Sequence, residues 1–381
     1  MDKKKLVLIG PVYPYKGGIS HYTGLLYRAL SREYEVLMIS YKMQYPRLLF
    51  KREQRDYSND AFKVEGTEFL LNTANPFNIA AAAKRIISET PDAVLIEWWH
   101  PYFAPCYRIL AKRFRRAGIR ILFTCHNVFP HERFPMDKKL TRAVLSLGDG
   151  FILHSEKEAE ELLSIKGDAS YQVQVHPTYE AFAFEKLSKE EARKLLGIPE
   201  EQRVVLFFGF VREYKGLKHL LRAVSAFKEE SEPDDFTLYV VGDFGSKETL
   251  SEYEALIGEL GISSYINIIS GYVPDREVEK YFSACDLVAL PYESATQSGI
   301  VQIAYGFEKP VVATRVGGLP DVVTDEETGF LVKPCDEKEL SEAISRFFAD
   351  PALSERFREN IRKNNQRFSW ERMVETVGRL L

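Results

Sequence analysis

Apolar runs of four to six residues recur along the whole chain, with helix-spaced segments between them. In the first half they fall at 5–10, 36–39, 93–97, 120–124, 150–154 and 171–175. In the second they fall at 204–209, 238–242, 266–270, 286–290, 310–313 and 329–332. Most are continuous rather than alternating, which predicts parallel strands buried on both faces. Between them lie segments such as 217–229, where Leu217, Leu220, Leu221, Val224 and Phe227 recur at helical spacing. Repeated strand–helix–strand units build open, doubly wound sheets, about six units in each half. A chain of 381 residues is long for one core and suits two. The seam is predicted near 176–200, where SKEEARKLLGIPEEQ carries few strand formers. Ligands of doubly wound sheets bind outside the carboxyl ends of the strands, so the loops after strands are where chemistry is expected.

Composition narrows the class. Hydrophobic residues at 45% and charged residues at 28% exclude disordered, collagen-like and low-complexity chains. No apolar run approaches the roughly 18 residues of a spanning helix. The apolar stretch of MDKKKLVLIGP is too short for a secretory signal. A cytoplasmic protein is expected. Cys106, Cys125, Cys285 and Cys335 form no CxxC pair, so neither a disulfide framework nor a structural zinc site is predicted.

Charge is uneven. Residues 1–150 carry 24 Lys and Arg against 14 Asp and Glu (+10), and the remainder 27 against 41 (−14), for the net −4 of the chain. The basic residues concentrate in AKRFRRAGIR (111–120) and KKLTR (138–142). They read either as solvated helix faces or as a patch attracted to anionic lipid or phosphate, leaving peripheral association with an anionic membrane open. Nucleic acid is not expected, because the chain is acidic overall and no aromatics interleave the basic runs.

Four loops after strands carry candidate chemistry. After the first, Gly17 and Gly18 open a helix with the stripe Tyr22, Leu25, Leu26 and Leu30. A diglycine there lets backbone amides approach an anion, or simply makes a tight turn. After strand 120–124, His126 sits where an imidazole can bond a sugar hydroxyl or a developing charge. Trp98, Trp99, His100 and His131 are weaker candidates for stacking on a sugar ring. After strand 204–209, Arg212 and Lys215 precede a helix. Arginine as a fork and lysine as a point charge make a pyrophosphate clamp.

After strand 286–290, a polar loop leads into a helix near Gly299 with the stripe Ile300, Ile303, Ala304 and Phe307. Free amides at Ser298, Gly299 and Ile300 favour a phosphate, with Gln302 in reach of an adjoining ribose. The alternative is a serine-capped helix with no ligand.

Together these residues resemble the retaining family 4 glycosyltransferases of the GT-B architecture. The likeness runs through GGISHYTGLL, HN at 126–127, FFGFVREYKGL, VVG at 240–242, GYVPDREVEKYFSACDLVALPY, EKPVVATRVGGLPDVV and FSWERMVETVGRLL. It implies an α/β GT-B fold of two doubly wound, Rossmann-like domains with a cleft between them. Residues 1–180 would form the acceptor-side domain and 181–360 the nucleotide-sugar domain, with 361–381 a helix returning to the first. It also implies a UDP- or GDP-sugar donor and an acceptor sugar, glycolipid or small molecule. Arg212 and Lys215 match the family's diphosphate cations, and His126 its histidine at the donor sugar. Gly17 and Gly18 match the glycine loop near the reacting centre, and Gly209 falls within the FFGF match. Tyr272 and Val273 belong to the turn at the base. Gln297, Ser298, Gly299 and Ile300 match the loop at the distal phosphate.

One departure stands out. The family pattern of two glutamates eight positions apart falls on Ala295 and Ile303. Glu293 lies two residues before the first position and Gln302 one before the second, making TQSG a variant in which Gln302 is assigned the ribose. The resemblance implies a retaining transferase, and because no D-x-D tripeptide occurs its turnover is expected to be metal-independent. The alternatives are a sugar-nucleotide epimerase, which would need carboxylates here, and a binding protein without turnover. A nicotinamide dehydrogenase is disfavoured because no G-x-G-x-x-G follows the first strand.

Overall fold

The computed structural model describes residues 3–48, 53–57, 60, 62–130, 134–231, 235–295 and 298–381. The chain divides into two compact units, Met1–Val175 with Ser369–Leu381, and His176–Phe368.

In the first unit the order is β1 (Lys5–Ile9), α1 (Gly18–Leu30), β2 (Glu35–Met43), β3 (Glu68–Asn72), α2 (Pro76–Ile87) and β4 (Ala93–Trp98). Next come α3 (Ala104–Arg116), β5 (Arg120–Cys125), α4 (Asp137–Leu145), β6 (Gly150–Leu153), α5 (Glu156–Leu163) and β7 (Tyr171–Val173). The sheet is parallel throughout, ordered β3-β2-β1-β4-β5-β6-β7. The order reverses between β1 and β4, which makes their carboxyl ends the switch point of this sheet. The predicted stripe of α1 is buried at Tyr22, Leu25, Leu26 and Leu30. β3 is absent from the predicted strands. It is an edge strand with Phe69 exposed, so its EFLLN sequence lacks the continuous apolar signature of the central strands.

The second unit runs α6 (Lys189–Leu196), β8 (Arg203–Phe208), α7 (Leu217–Ser231), β9 (Phe236–Gly242), α8 (Lys247–Glu259), β10 (Ile266–Ser270) and α9 (Asp275–Ala284). It continues through β11 (Leu287–Leu290), α10 (Gly299–Gly306), β12 (Val311–Thr314), α11 (Leu319–Val322), β13 (Gly329–Val332), α12 (Glu337–Ala349) and α13 (Pro351–Asn364). Its parallel sheet is ordered β10-β9-β8-β11-β12-β13, with the switch point between β8 and β11. Side chains start several helices. Ser188 and Glu191 form a reciprocal capping box on α6, and Asp336 caps α12. Leu217, Leu220, Leu221, Val224 and Phe227 of α7 are all buried, as their spacing predicts.

The last helix, α14 (Trp370–Leu380), belongs to the first unit and packs on α1. Met373, Val374, Val377 and Leu380 are its buried stripe, and the Trp370 ring lies 5.3 Å from that of Tyr22. The division falls at 175/176 and 368/369 rather than at 180/181 and 360/361. The reason is local: the Thr178 amide donates to Phe368 O, and the Tyr179 amide to Gln302 O, which already tie this stretch to the second unit.

Candidate functional site

The second unit brings its loops together at the carboxyl ends of four neighbouring strands. Gly209 leaves β8 with φ 110° and its amide donates to Val241 O at 2.9 Å. A Cβ on Gly242 would stand 1.7 Å from Gly209 O, so the two backbones touch in a way only glycine permits. The Gly271 amide in turn donates to Gly242 O at 3.0 Å, which places Tyr272, exposed, and Val273, half-buried, beyond the next strand end. On the other side, Gly216 (φ 66°) packs so closely on the loop after β11 that a Cβ would lie 1.9 Å from Pro291 O. The Glu293 amide donates to Tyr214 O at 2.7 Å, and the Thr314 hydroxyl to Tyr292 O at 2.6 Å, tying the loops together and to β12.

Within this frame Lys215 Nζ lies 3.2 Å from the point where a Gly209 Cβ would be, and 5.2 Å from the Tyr292 ring centre. The Tyr292 hydroxyl sits 3.1 Å from Ser298 Oγ at the start of α10. Ile300 Cδ1 stands 3.6 Å from the same point beside Gly209. Lysine, buried tyrosine and helix start thus surround one glycine. Among the described residues neither Lys215 nor Arg212 takes an ion-pair partner, whereas the nearby Lys218 is neutralised by Glu293 at 2.9 Å. Arg212 begins the 3-10 turn Glu213–Lys215, is exposed, and makes no capping hydrogen bond with its side chain.

Two expectations about α10 change. Ser298 caps the helix through Ile300 N at 3.2 Å, so that amide is engaged, whereas those of Ser298 and Gly299 take no partner among the described residues. The buried face also differs from the stripe read in the sequence: Val301, Gln302, Ile303, Ala304 and Tyr305 are all buried, while Ile300 turns toward Gly209. Gln302 is 1% exposed, and neither atom of its amide has a partner among the described residues. Thr296 and Gln297 lie outside the described residues, as does His131.

Glu293 is taken up by Lys218 and His219. Partial burial pulls its pKa up, but the hydrogen bond and charge of Lys218, with His219, outweigh this and hold it below the usual carboxylate value. His219 is bonded by Glu293 at 3.2 Å and by Glu337 at 2.7 Å. Among the described residues, His219, Glu293 and Cys335 are the group whose ligand atoms gather closely enough, within 4.8 Å, to hold a metal. Lys218 already occupies that carboxylate.

In the first unit, α1 begins at Gly18, with Gly17 at φ 105° as its N-cap. A Cβ on either glycine would meet nothing within 4 Å, so Gly17 is required for its left-handed conformation and not for space. His126 is buried past the end of β5, its Nε2 2.6 Å from Glu97 Oε2 and its ring 4.7 Å from that of Tyr22. Trp98 is fully buried and donates from Nε1 to Val128 O at 3.3 Å, which removes it from the candidates for sugar stacking. His100 caps a short 3-10 turn by accepting from the Tyr102 amide, and Trp99 is half-buried.

Glu97, Tyr292 and the glycine contacts at 216 and 242 escape sequence reasoning. Only Glu97 left a signal, a carboxylate within the otherwise apolar strand AVLIEW.

Known proteins agree with this architecture. A family model described as "Glycosyl transferases group 1" matches residues 188–364, and one described as "Glycosyltransferase Family 4" matches residues 16–178. TuaC of Bacillus subtilis, provisionally assigned to teichuronic acid biosynthesis as a glycosyltransferase, is 30% identical over 286 residues, 73% of this chain and 67% of its own. A D-inositol 3-phosphate glycosyltransferase of Saccharomonospora viridis is 27% identical over 238 residues, 61% of this chain and 55% of its own. The chain therefore spans about half the length of that relative. Among solved structures, HepE of Anabaena in complex with UDP-glucose superposes with a TM-score of 0.75 at 19% identity, covering 99% of this chain and 100% of that one. Two parallel, doubly wound units of this order define the GT-B class. The chain belongs to the family 4 glycosyltransferases of that class.

Proposed function

We propose that the protein transfers a sugar from a nucleoside diphosphate, UDP or GDP, to an acceptor hydroxyl with retention at the anomeric carbon. The observation that carries this reading is the Lys215 ammonium, without an ion-pair partner, beside Gly209 and the start of α10. As the glycosidic phosphate bond breaks, negative charge collects on the departing diphosphate. Lys215, Arg212 and the amides of Ser298 and Gly299 are the groups of this unit suited to stabilise it. A buried amide with both ends unpaired is destabilising by about 1–3 kcal/mol. Gln302 is such a group, and a ribose hydroxyl would complete it. Tyr272 and Val273, beyond the β10 end, suit the nucleobase, and Gly17, Gly18 and His126 the sugar.

The proposed chemistry needs no protein nucleophile: the acceptor attacks from the leaving-group side and a phosphate oxygen takes its proton. With no D-x-D tripeptide in the chain, turnover is proposed to be independent of a divalent metal. HepE has been solved with UDP and glucose and with UDP-glucose, and the sequence relatives are named for inositol phosphate and teichuronic acid. These favour a UDP-sugar donor and an acceptor of glycoconjugate or polysaccharide synthesis.

The test is incubation with UDP- and GDP-sugars while following slow release of the nucleoside diphosphate. Release supports transfer or its hydrolytic side reaction. An isomerised sugar nucleotide would instead establish an epimerase, and binding without turnover a carrier.

A further inference from the structure

His126 and Glu97 form a buried titratable pair in the first unit. Glu97 is 0% exposed, and its Oε2 meets His126 Nε2 at 2.6 Å. Its other oxygen, Oε1, has no hydrogen-bond partner among the described residues. Room for the carboxyl is built into the switch point of the sheet: a Cβ on Gly10, just past β1, would stand 2.7 Å from Glu97 Cγ. The groups facing the pair are Tyr22 from α1, Tyr107 from α3, Thr124 and Cys125 on β5, and His154 past β6. None of these is a lysine or arginine, and Glu158 of α5 adds a second buried carboxyl beyond His154.

Among the described residues no permanent cation faces this carboxyl, and burial keeps water from it, which makes its ionised form very unfavourable. Burial accordingly pushes Glu97 well above the usual carboxylate value, and lowers His126 to about 3. Both directions favour the neutral acid beside the neutral imidazole.

We propose that Glu97 is a positioning residue that holds His126 as a protonated acid, its O–H donating to Nε2, so that the imidazole proton resides on Nδ1. His126 then acts toward the substrate as a hydrogen-bond donor and not as a base. The arrangement is the reverse of an ionised carboxylate accepting from an imidazole N–H, which would leave the far nitrogen as an acceptor. It suits a reaction in which the acceptor's proton goes to the leaving phosphate, because the protein then needs to orient a sugar hydroxyl without deprotonating it. This inference rests on the reading of His126 as a sugar contact.

The direct test is nitrogen NMR of the intact protein with 15N-labelled histidine, the His126 signals assigned by their loss in His126→Gln. The expected spectrum shows an Nδ1–H tautomer with unprotonated Nε2, unchanged between pH 6 and 8. An Nε2–H tautomer, or a doubly protonated ring, would overturn the proposal. In turnover, Glu97→Leu is expected to lower kcat about 10–100-fold, the size seen when a ligand's supporting partner is lost. Glu97→Gln, whose amide N–H also donates to Nε2, should restore most of that loss and keep the Nδ1–H signature. A folded Glu97→Leu protein with undiminished kcat contradicts the positioning role. If His126→Ala leaves turnover intact while the tautomer stands as expected, it is the sugar contact that fails.

Discussion

Lys215 is the residue on which the chemistry turns. Its half-buried ammonium lies against the Tyr292 ring, without the carboxylate that neutralises Lys218 three residues on. A cation left uncompensated in this way carries a standing electrostatic preference for an anion. Lys215→Ala should remove about 2–4 kcal/mol of transition-state stabilisation, comparable to the loss of an oxyanion donor, read as the fall in kcat/KM. Arg212→Ala should act in the same direction; a variant of either with near-normal kcat/KM contradicts the clamp.

At the same scale, Glu158 gives a pH signature of stability. Burial pushes its carboxyl up to about 8, so the folded state binds a proton there that the unfolded chain releases near pH 4.5. Its favourable contribution is complete below 4.5 and is lost as pH rises toward 8. His126 and His154, both lowered to about 3 by burial, work oppositely and weaken the fold as pH falls from 6.5 to 3. Above pH 6.5 the buried carboxyls, Glu158 and in the same direction Glu97, set the trend. The thermal midpoint should therefore fall between about pH 6.5 and 8, and Glu158→Gln should flatten that fall; an equal slope in the variant contradicts the assignment.

Candidate residues stood out in the sequence where charge broke the pattern of a strand-ending loop, as at Arg212, Lys215 and His126; the structure sets Lys215 beside Gly209, buries His126 and leaves Arg212 exposed. It was not legible where partners meet only through the fold. Glu97 and His126 are far apart in the chain, and nothing in either segment announces the other.

Among the elements, the glycine contacts between neighbouring loops are the most exacting. Gly242→Ala would drive a methyl to 1.7 Å from Gly209 O, and Gly216→Ala one to 1.9 Å from Pro291 O at φ 66°. The left-handed conformation alone costs an alanine about 1–2 kcal/mol, and the overlap at Gly216 adds about 1–3 kcal/mol. Gly216→Ala is thus expected to lower stability by about 2–5 kcal/mol in denaturant unfolding, and to weaken nucleotide binding by separating Lys215 from α10. An Ala variant with unchanged stability contradicts the close packing.

Central strands and most helices could be placed from hydrophobic runs because both sheet faces are buried. The edge strand β3 could not, because only Leu71 of its five residues is buried and Phe69 is exposed. The buried face of α10 was misjudged for a related reason: the helix is enclosed on most sides, so burial spreads beyond a single stripe to Val301 and Gln302. Amphipathic periodicity identifies a surface helix better than one packed all round.

At the scale of the molecule, the basic half of the sequence maps onto α3 and α4, which pack side by side. Lys112, Arg113, Arg115 and Arg116, with Lys138 and Lys139, are exposed, and among the described residues none pairs with an acid. α3 itself carries no acidic residue. Among the described residues no helix is long and apolar enough to cross a membrane. An acceptor held at an anionic membrane surface would suit this face. Vesicles containing anionic lipid should then bind the protein more than neutral vesicles, and binding should decline as salt approaches 1 M, where the Debye length is only about 3 Å. Equal binding to both vesicles removes the membrane from the account. Activity that vanishes in excess chelator and returns with magnesium or manganese would likewise reverse the proposed metal independence.

The most direct measurement is calorimetric titration of the intact protein with UDP and with GDP, repeated on Lys215→Ala. Saturable binding of one nucleotide, weakened at least tenfold by the substitution, is the predicted result. Tight binding indifferent to Lys215, or none of either nucleotide, would mean that the diphosphate does not sit where lysine, tyrosine and helix start meet around Gly209.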